Sequence, residues 1–248
     1  MAARLRLKPT ILFSALAVTT PLRAQTGGDG FLFHEPRGSL TIRGGLGLPT
    51  TSSQVFSFVT NELTLGKSDF TSGTLGADLS VRLSPRMDVV VGLLYTGTRS
   101  RSEFRNWVDQ NDLPIEQTTV FERLPVTTSL RYYLSSRGRR IGRLAWIPAR
   151  LAPYVGIGAG AMWYRFRQSG DFVDFQTLNV FGDRYESSDW TFTAHALAGT
   201  EIAVGSRFYV TGEGRYAWSR AAMGQDFVGF DRIDLSGVYA TAGVAVRF

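Results

Sequence analysis

The chain has 248 residues, enough for one domain of barrel or sandwich size or for two small ones. It contains no cysteine, which excludes disulfides, thiol nucleophiles and Cys-ligated zinc or iron–sulfur centres. Charged residues make up 19% and mean hydropathy is −0.03, the profile of neither a disordered chain nor a bundle of membrane helices; 27 glycines and 12% aromatics suit an all-β chain.

Residues 1–24 read as a cleaved secretory signal: Arg4, Arg6 and Lys8 form a basic start, Ile11 to Val18 an apolar stretch, and Ala24 a small residue before the cut. The apolar stretch is too short to span a bilayer as a helix. The leader holds four bases, with Arg23, and no acid. Taking these from 27 leaves 23 bases against 21 acids, a net of +2, so the high isoelectric point belongs partly to the leader. A nucleic-acid partner is therefore not expected. The reading divides the chain into signal (1–24), N-terminal segment (25–37) and one β domain (38–248).

Beyond the leader the recurring signal is alternation. Leu40, Ile42, Leu46 and Leu48 alternate with Thr41, Arg43, Gly45 and Gly47, and Leu75, Ala77, Leu79, Val81 and Leu83 with Gly76, Asp78, Ser80 and Arg82. Six further runs follow, over 88–96, 120–134, 155–163, 190–204, 208–218 and 238–248. A period of two with one apolar face predicts eight β-strands. Ser84-Pro85-Arg86 and Gly205-Ser206 read as tight turns, whereas 49–73, 97–118, 167–188 and 219–235 read as long polar loops. Short turns at one end and long loops at the other are the asymmetry of an outer-membrane barrel. The connection 135–152 departs from it. Its Arg137, Arg139, Arg140, Arg143 and Arg150, with Trp146, read as a solvated loop or as a contact for anionic lipid headgroups.

Alternation also fits a soluble sandwich, and three features favour the barrel. Tyr95, Tyr132, Trp163, Trp190, Tyr216 and Trp218 lie near strand ends on the apolar face, as an interfacial aromatic girdle would. The other face carries Arg43, Asp78, Arg82, Arg131, Glu201, Glu213 and Arg215 in mid-strand, charges that a narrow lumen would gather into pairs. The chain ends in a strand whose alternation runs through Val244 and Val246 to a terminal Phe248.

This ending resembles the C-terminal signal by which bacterial outer-membrane barrels are recognised for assembly. With the leader and eight alternating strands, the chain is similar to the small OmpA/OmpX/OmpW-like outer-membrane β-barrels over most of 38–248. The resemblance implies an eight-stranded antiparallel up-and-down transmembrane β-barrel in the outer membrane, with periplasmic termini. Its partners would be outer-membrane lipid, lipopolysaccharide and the assembly machinery, and it would act as a monomer without a cofactor.

Three functions remain open at this point: a structural or envelope-interaction role with the lumen charges forming a plug, a small pore or route for small ionic or hydrophobic solutes, and a lipid-modifying enzyme. Against the enzyme, His34 and His195 are the only histidines, the Ser expected two residues after a barrel deacylase His is Leu197, and neither a Gly-x-Ser-x-Gly elbow nor a His-Glu-x-x-His motif occurs. His195 reads as a packed lumen residue. Gly156-Ile157-Gly158-Ala159-Gly160-Ala161 imitates a dinucleotide fingerprint but leads into Met162-Trp163-Tyr164, which is strand-like, so it reads as a smooth strand patch. Val55-Phe56-Ser57-Phe58-Val59 reads as a short element over the barrel mouth, self-packed or offered to a hydrophobic ligand. Arg99, Arg101, Arg105, Arg165 and Arg167 are rim charges or phosphate contacts for lipopolysaccharide.

Overall fold

The computed structural model describes residues 30–142, 145–177 and 179–248. The signal reading for 1–24 lies outside these residues. Twelve strands follow in order: β1 (Leu32–Phe33), β2 (Gly38–Pro49), β3 (Ser72–Ser84), β4 (Met87–Val108), β5 (Pro114–Tyr133), β6 (Gly138–Ile141), β7 (Ala145–Pro148), β8 (Leu151–Val173), β9 (Val180–Ala203), β10 (Phe208–Ala221), β11 (Ile233–Asp234) and β12 (Gly237–Arg247). Eight of them, β2, β3, β4, β5, β8, β9, β10 and β12, pair antiparallel with their neighbours into a ring, closed where β12 meets β2 with Val244 opposite Ile42. The ring is an eight-stranded up-and-down barrel without a free edge along its lower half. Phe248 ties the seam, donating its N–H to Gly38 O at 3.0 Å while its own carbonyl accepts from Gly38 N at 3.1 Å.

Side-chain parity follows from the pleat. The apolar set faces outward, with Ile157 68% and Phe192 69% exposed, while the polar set is buried inside. Along the outward positions from Leu40 to Leu48, Leu75 to Leu83, Val89 to Tyr95 and Val238 to Phe248 there is no charged residue. Such a surface in water would be a very large apolar patch, and it is suited to hydrocarbon.

Strand lengths differ from the sequence reading in an informative way. β4, β5, β8 and β9 have 20 to 24 residues, and β2, β3, β10 and β12 have 11 to 14. The segments 97–118 and 167–188 are therefore not loops. They continue the ladder to Val108 opposite Pro114 and Val173 opposite Val180. Both faces there leave the belt, so hydropathy alternation fades while backbone pairing persists. The four long strands are adjacent and rise together as a half-cylinder beyond the ring. The other half is filled by the connections: α1 (Gln54–Glu62), a 3-10 turn at Lys67–Phe70 and another at Gln225–Phe227.

The connection 135–152 is neither a solvated loop nor simply a headgroup contact. It forms the hairpin β6–β7, which with β1 makes a three-stranded sheet across the end of the ring that carries the barrel's termini, the base. Trp146 is only 2% exposed there.

Candidate functional site

The barrel interior has three levels. At mid-height, Arg43, Asp78, Arg131, Glu213 and Arg215 meet in one network. Arg43 Nη1 donates to Glu213 Oε1 at 2.7 Å and its Nη2 lies 3.0 Å from Asp78 Oδ1. Arg131 Nη2 bridges Asp78 Oδ2 at 3.1 Å and Glu213 Oε2 at 2.8 Å, and Arg215 Nη2 reaches Glu213 Oε1 at 3.0 Å. Tyr154 donates its hydroxyl to Glu213 Oε2 at 3.1 Å, and its ring lies 4.9 Å from the Arg131 guanidinium. Two glycines make the space. A Cβ at Gly92 would come within 2.1 Å of Asp78 Oδ1, and one at Gly158 within 2.6 Å of the His195 ring. The Gly-x-Gly-x-Gly run thus faces the lumen with its bare positions, and His195 lies over it, 2.9 Å from Ser129 Oγ.

The base holds a second cluster, and two of the seven residues read as one lumen set belong to it. Glu201 accepts from Tyr133 at 2.6 Å and from Arg247 at 2.9 Å, and Arg137 pairs with Asp88 at 2.6 Å. Arg82 pairs with Glu35, which also takes Arg140. The Arg247 guanidinium sits 4.2 Å from the Tyr209 ring, and both Arg82 and Arg247 flank Trp146 at 5.8 Å. A cavity of about 10 Å³ between Arg82, Asp88, Arg137, Glu201 and Arg247 has room for a single water. Asp88, Arg247 and Glu35 are not among the sequence candidates, and Arg137, read there as part of a solvated or headgroup-binding loop, is instead buried against Asp88. Asp88 and Arg247 share the parity of the polar face, a usable signal. Glu35 and Arg137 lie outside any alternating run, and only tertiary pairing reveals them.

Above the central network the interior turns apolar. Phe56 of α1 is fully buried, with ring centroids 5.0 Å from Phe70, 5.2 Å from Phe121 and 5.8 Å from Phe166. Val55, Val59, Leu63 and Leu65 join it from the first long connection, and Phe227, Ile233 and Leu235 from the last. Val55, Phe56 and Val59 lie one helical turn apart or less, so one face of α1 is apolar. They pack inward and are not offered at the surface. Arg123 marks the boundary, fully buried between Phe121 and Tyr239 and donating to Leu235 O at 3.0 Å.

The six girdle residues all face outward. Trp163 is the register partner of Trp190, Tyr95 opposes Leu75 on the same side of the belt, and Tyr216 meets Trp218 edge-to-face with ring centroids 4.8 Å apart. Tyr132 stands apart, paired with Met87 at the base. Immediately beyond Tyr95 and Trp163, Arg99 and Arg167 both oppose Val120, and Arg165 is bound to Glu122, which also accepts from Tyr95 at 2.8 Å. Arg101 lies one outward rung farther. Arg105 instead turns around the β4 edge to the carbonyls of Thr60 and Leu65 at 3.4 and 3.3 Å. Val244, Val246 and Phe248 face outward on the last strand, Val246 partly covered.

At the far tips Asp109 accepts from the Leu113 and Asn111 amides, and these bonds hold its carboxyl below the usual carboxylate range. Thr177 and the Gln176 amide do the same for Asp174.

No family model and no curated protein matches the chain. Among solved structures it is similar to the Neisserial surface protein A, at 12% identity and a TM-score of 0.44, covering 90% of this chain and 99% of that one. It is also similar to Ail, the attachment invasion locus protein of Yersinia pestis, at 12% identity and a TM-score of 0.45, covering 87% and 100%. A third is the N-terminal β-barrel domain of Pseudomonas aeruginosa OprF, at 12% identity and a TM-score of 0.37, covering 87% and 100%. At such identities the likeness concerns strand arrangement, and the barrel assignment rests on the closed register of the chain itself.

Proposed function

We propose that the protein is an integral outer-membrane barrel with periplasmic termini, a structural and interaction element of the envelope whose lumen is plugged. The observation that carries this reading is the uncharged apolar belt wrapped around a charge-lined, side-chain-filled interior. The distribution of surface charge fits the orientation. Arg86, Arg139, Arg140, Arg150 and Arg207 are exposed at the base, where phospholipid headgroups of an inner leaflet would meet them. Arg99, Arg101, Arg165 and Arg167 stand just beyond the far aromatics, at the height of lipopolysaccharide phosphates. Closure of the ring by β12 and β2 supports a monomer, and the Val244–Val246–Phe248 face is the surface offered to the assembly machinery.

The pore and enzyme readings receive less support. The two polar clusters and the α1 cap occupy the interior at three heights, and His195 with Ser129 is enclosed among them. The chain lacks cysteine, so single-cysteine labelling is clean. In intact cells, Asp112→Cys at the far tip should react with a membrane-impermeant maleimide, and Arg86→Cys at a base turn only after the outer membrane is opened. The reverse pattern would invert the orientation, and equal labelling of both would remove the protein from the membrane.

A further inference from the structure

The tips of the two long hairpins combine features that the barrel itself does not require. Residues 106–116 and 171–183 contain six acids and no Lys or Arg. Five of the six stand beside an apolar residue; thus Val108 precedes Asp109, Asp112 precedes Leu113, and Asp174 precedes Phe175. Val108, Leu113 and Phe175 are 56%, 58% and 52% exposed. The tips touch, with the Trp107 and Phe175 rings 6.0 Å apart and Gln117 Nε2 donating to Asp171 O at 3.0 Å. Nearby bases are spoken for: Arg184 is bound to Glu186 at 2.6 Å.

This surface is remote from the bilayer. Phe172 lies nine residues beyond Trp163 on β8, roughly 30 Å along the strand at about 3.3 Å per residue. Lipid burial therefore does not explain the exposed aromatics. Trp107 borders the apolar cap, but Val108, Leu113 and Phe175 take no part in it. Apolar groups rimmed by one sign of charge, held on a rigid ladder, are the composition of a recognition surface.

We infer that the paired tips of β4–β5 and β8–β9 dock a cationic protein segment that carries apolar or aromatic side chains. Bases of the partner would meet the carboxylates, and its apolar residues would cover Trp107, Leu113 and Phe175. A sulfated or phosphorylated polyanion is disfavoured by the same charges. The inference rests on the proposed orientation for its biology, but its chemistry can be tested apart from it.

The full chain is reconstituted in nanodiscs of zwitterionic lipid, and heat-shifted gel mobility reports that the barrel is folded. The probe is a synthetic peptide of alternating Lys with Trp and Leu. Binding is expected to saturate, to weaken on raising the salt, and to fall at least about tenfold when Asp109, Asp112, Asp174 and Asp183 are all changed to Asn. A comparable fall is expected for Trp107→Ala with Phe175→Ala, and poly-Lys should bind more weakly than the mixed peptide. Absence of saturable binding to the folded barrel, or equal binding by the variants, would overturn the inference, as would preference for a heparin-type oligosaccharide. Failure to enter nanodiscs, or inverted labelling of Asp112→Cys, would instead count against the membrane reading.

Discussion

At mid-height the barrel is filled by three arginines and two acids on four strands, whereas beyond Arg123 it is filled by Phe56, Phe70, Phe121, Phe166 and their neighbours. Parity does not change between the two regions. On β5 the inward set runs Ile115, Phe121, Thr127, Ser129, Arg131 without a break in register. What changes is the wall. In the middle eight strands enclose the interior, each contributes only short inward rungs, and polar side chains must satisfy one another. At the far end only four strands continue. The chain supplies the missing half from its own connections, and α1 can bring a whole apolar face because it has another face for water. A closed ring thus permits a polar interior, and an open half-cylinder is completed with an ordinary hydrophobic core.

The contrast can be broken from either side. The largest effect is expected for Glu213→Leu, which leaves Arg215 without its acid and Arg43 and Arg131 sharing Asp78 alone. Urea unfolding of the refolded barrel, followed by tryptophan fluorescence, should show a loss of about 3–5 kcal/mol. Replacing all five members of the network with apolar residues of similar volume should cost far less than that single change, because no charge is left unpaired. Phe56→Ala should cost about 3 kcal/mol or more, but locally. Amide exchange should quicken over α1 while the β2 and β12 amides stay protected, and global unfolding of the ring by Phe56→Ala would refute the separation into two regions. Glu35→Gln should weaken the base by about 1 kcal/mol, since its partners Arg82 and Arg140 keep partial access to solvent. The readout is faster trypsin cleavage at Arg37 and Arg139. Smallest of all, Arg140→Ala should change stability by no more than about 0.5 kcal/mol, its side chain being 71% exposed.

The middle of the molecule was far more legible in the sequence than its ends. Wherever one face meets hydrocarbon and the other the lumen, hydropathy repeats every second residue, and Leu75 to Leu83 announces its own parity. Above the belt both faces of β4, β5, β8 and β9 are mixed, so 97–118 and 167–188 read as loops although their backbones remain laddered. The helical stretch 54–62 is visible as an apolar interruption in a polar connection, but its choice to fill the mouth depends on how far the opposite wall extends. The charged residues were readable as a face and not as groups. Stagger between strands sends Arg82 and Glu201 to the base and leaves Arg43, Asp78, Arg131, Glu213 and Arg215 together, and no spacing within one strand encodes that. The base hairpin 138–148 lacks strong alternation because it is a small sheet packed through Trp146 and the Glu35 pairs.

The most direct test of the account is planar-bilayer conductance of the refolded full chain. A barrel plugged independently by the base cluster, the central network and the α1 cap should be silent, and should stay silent when Phe56→Ala loosens the cap alone. Reproducible conductance steps from the unaltered protein, shifting when Glu213→Gln alters the lumen charge, would contradict it and make the interior a pathway.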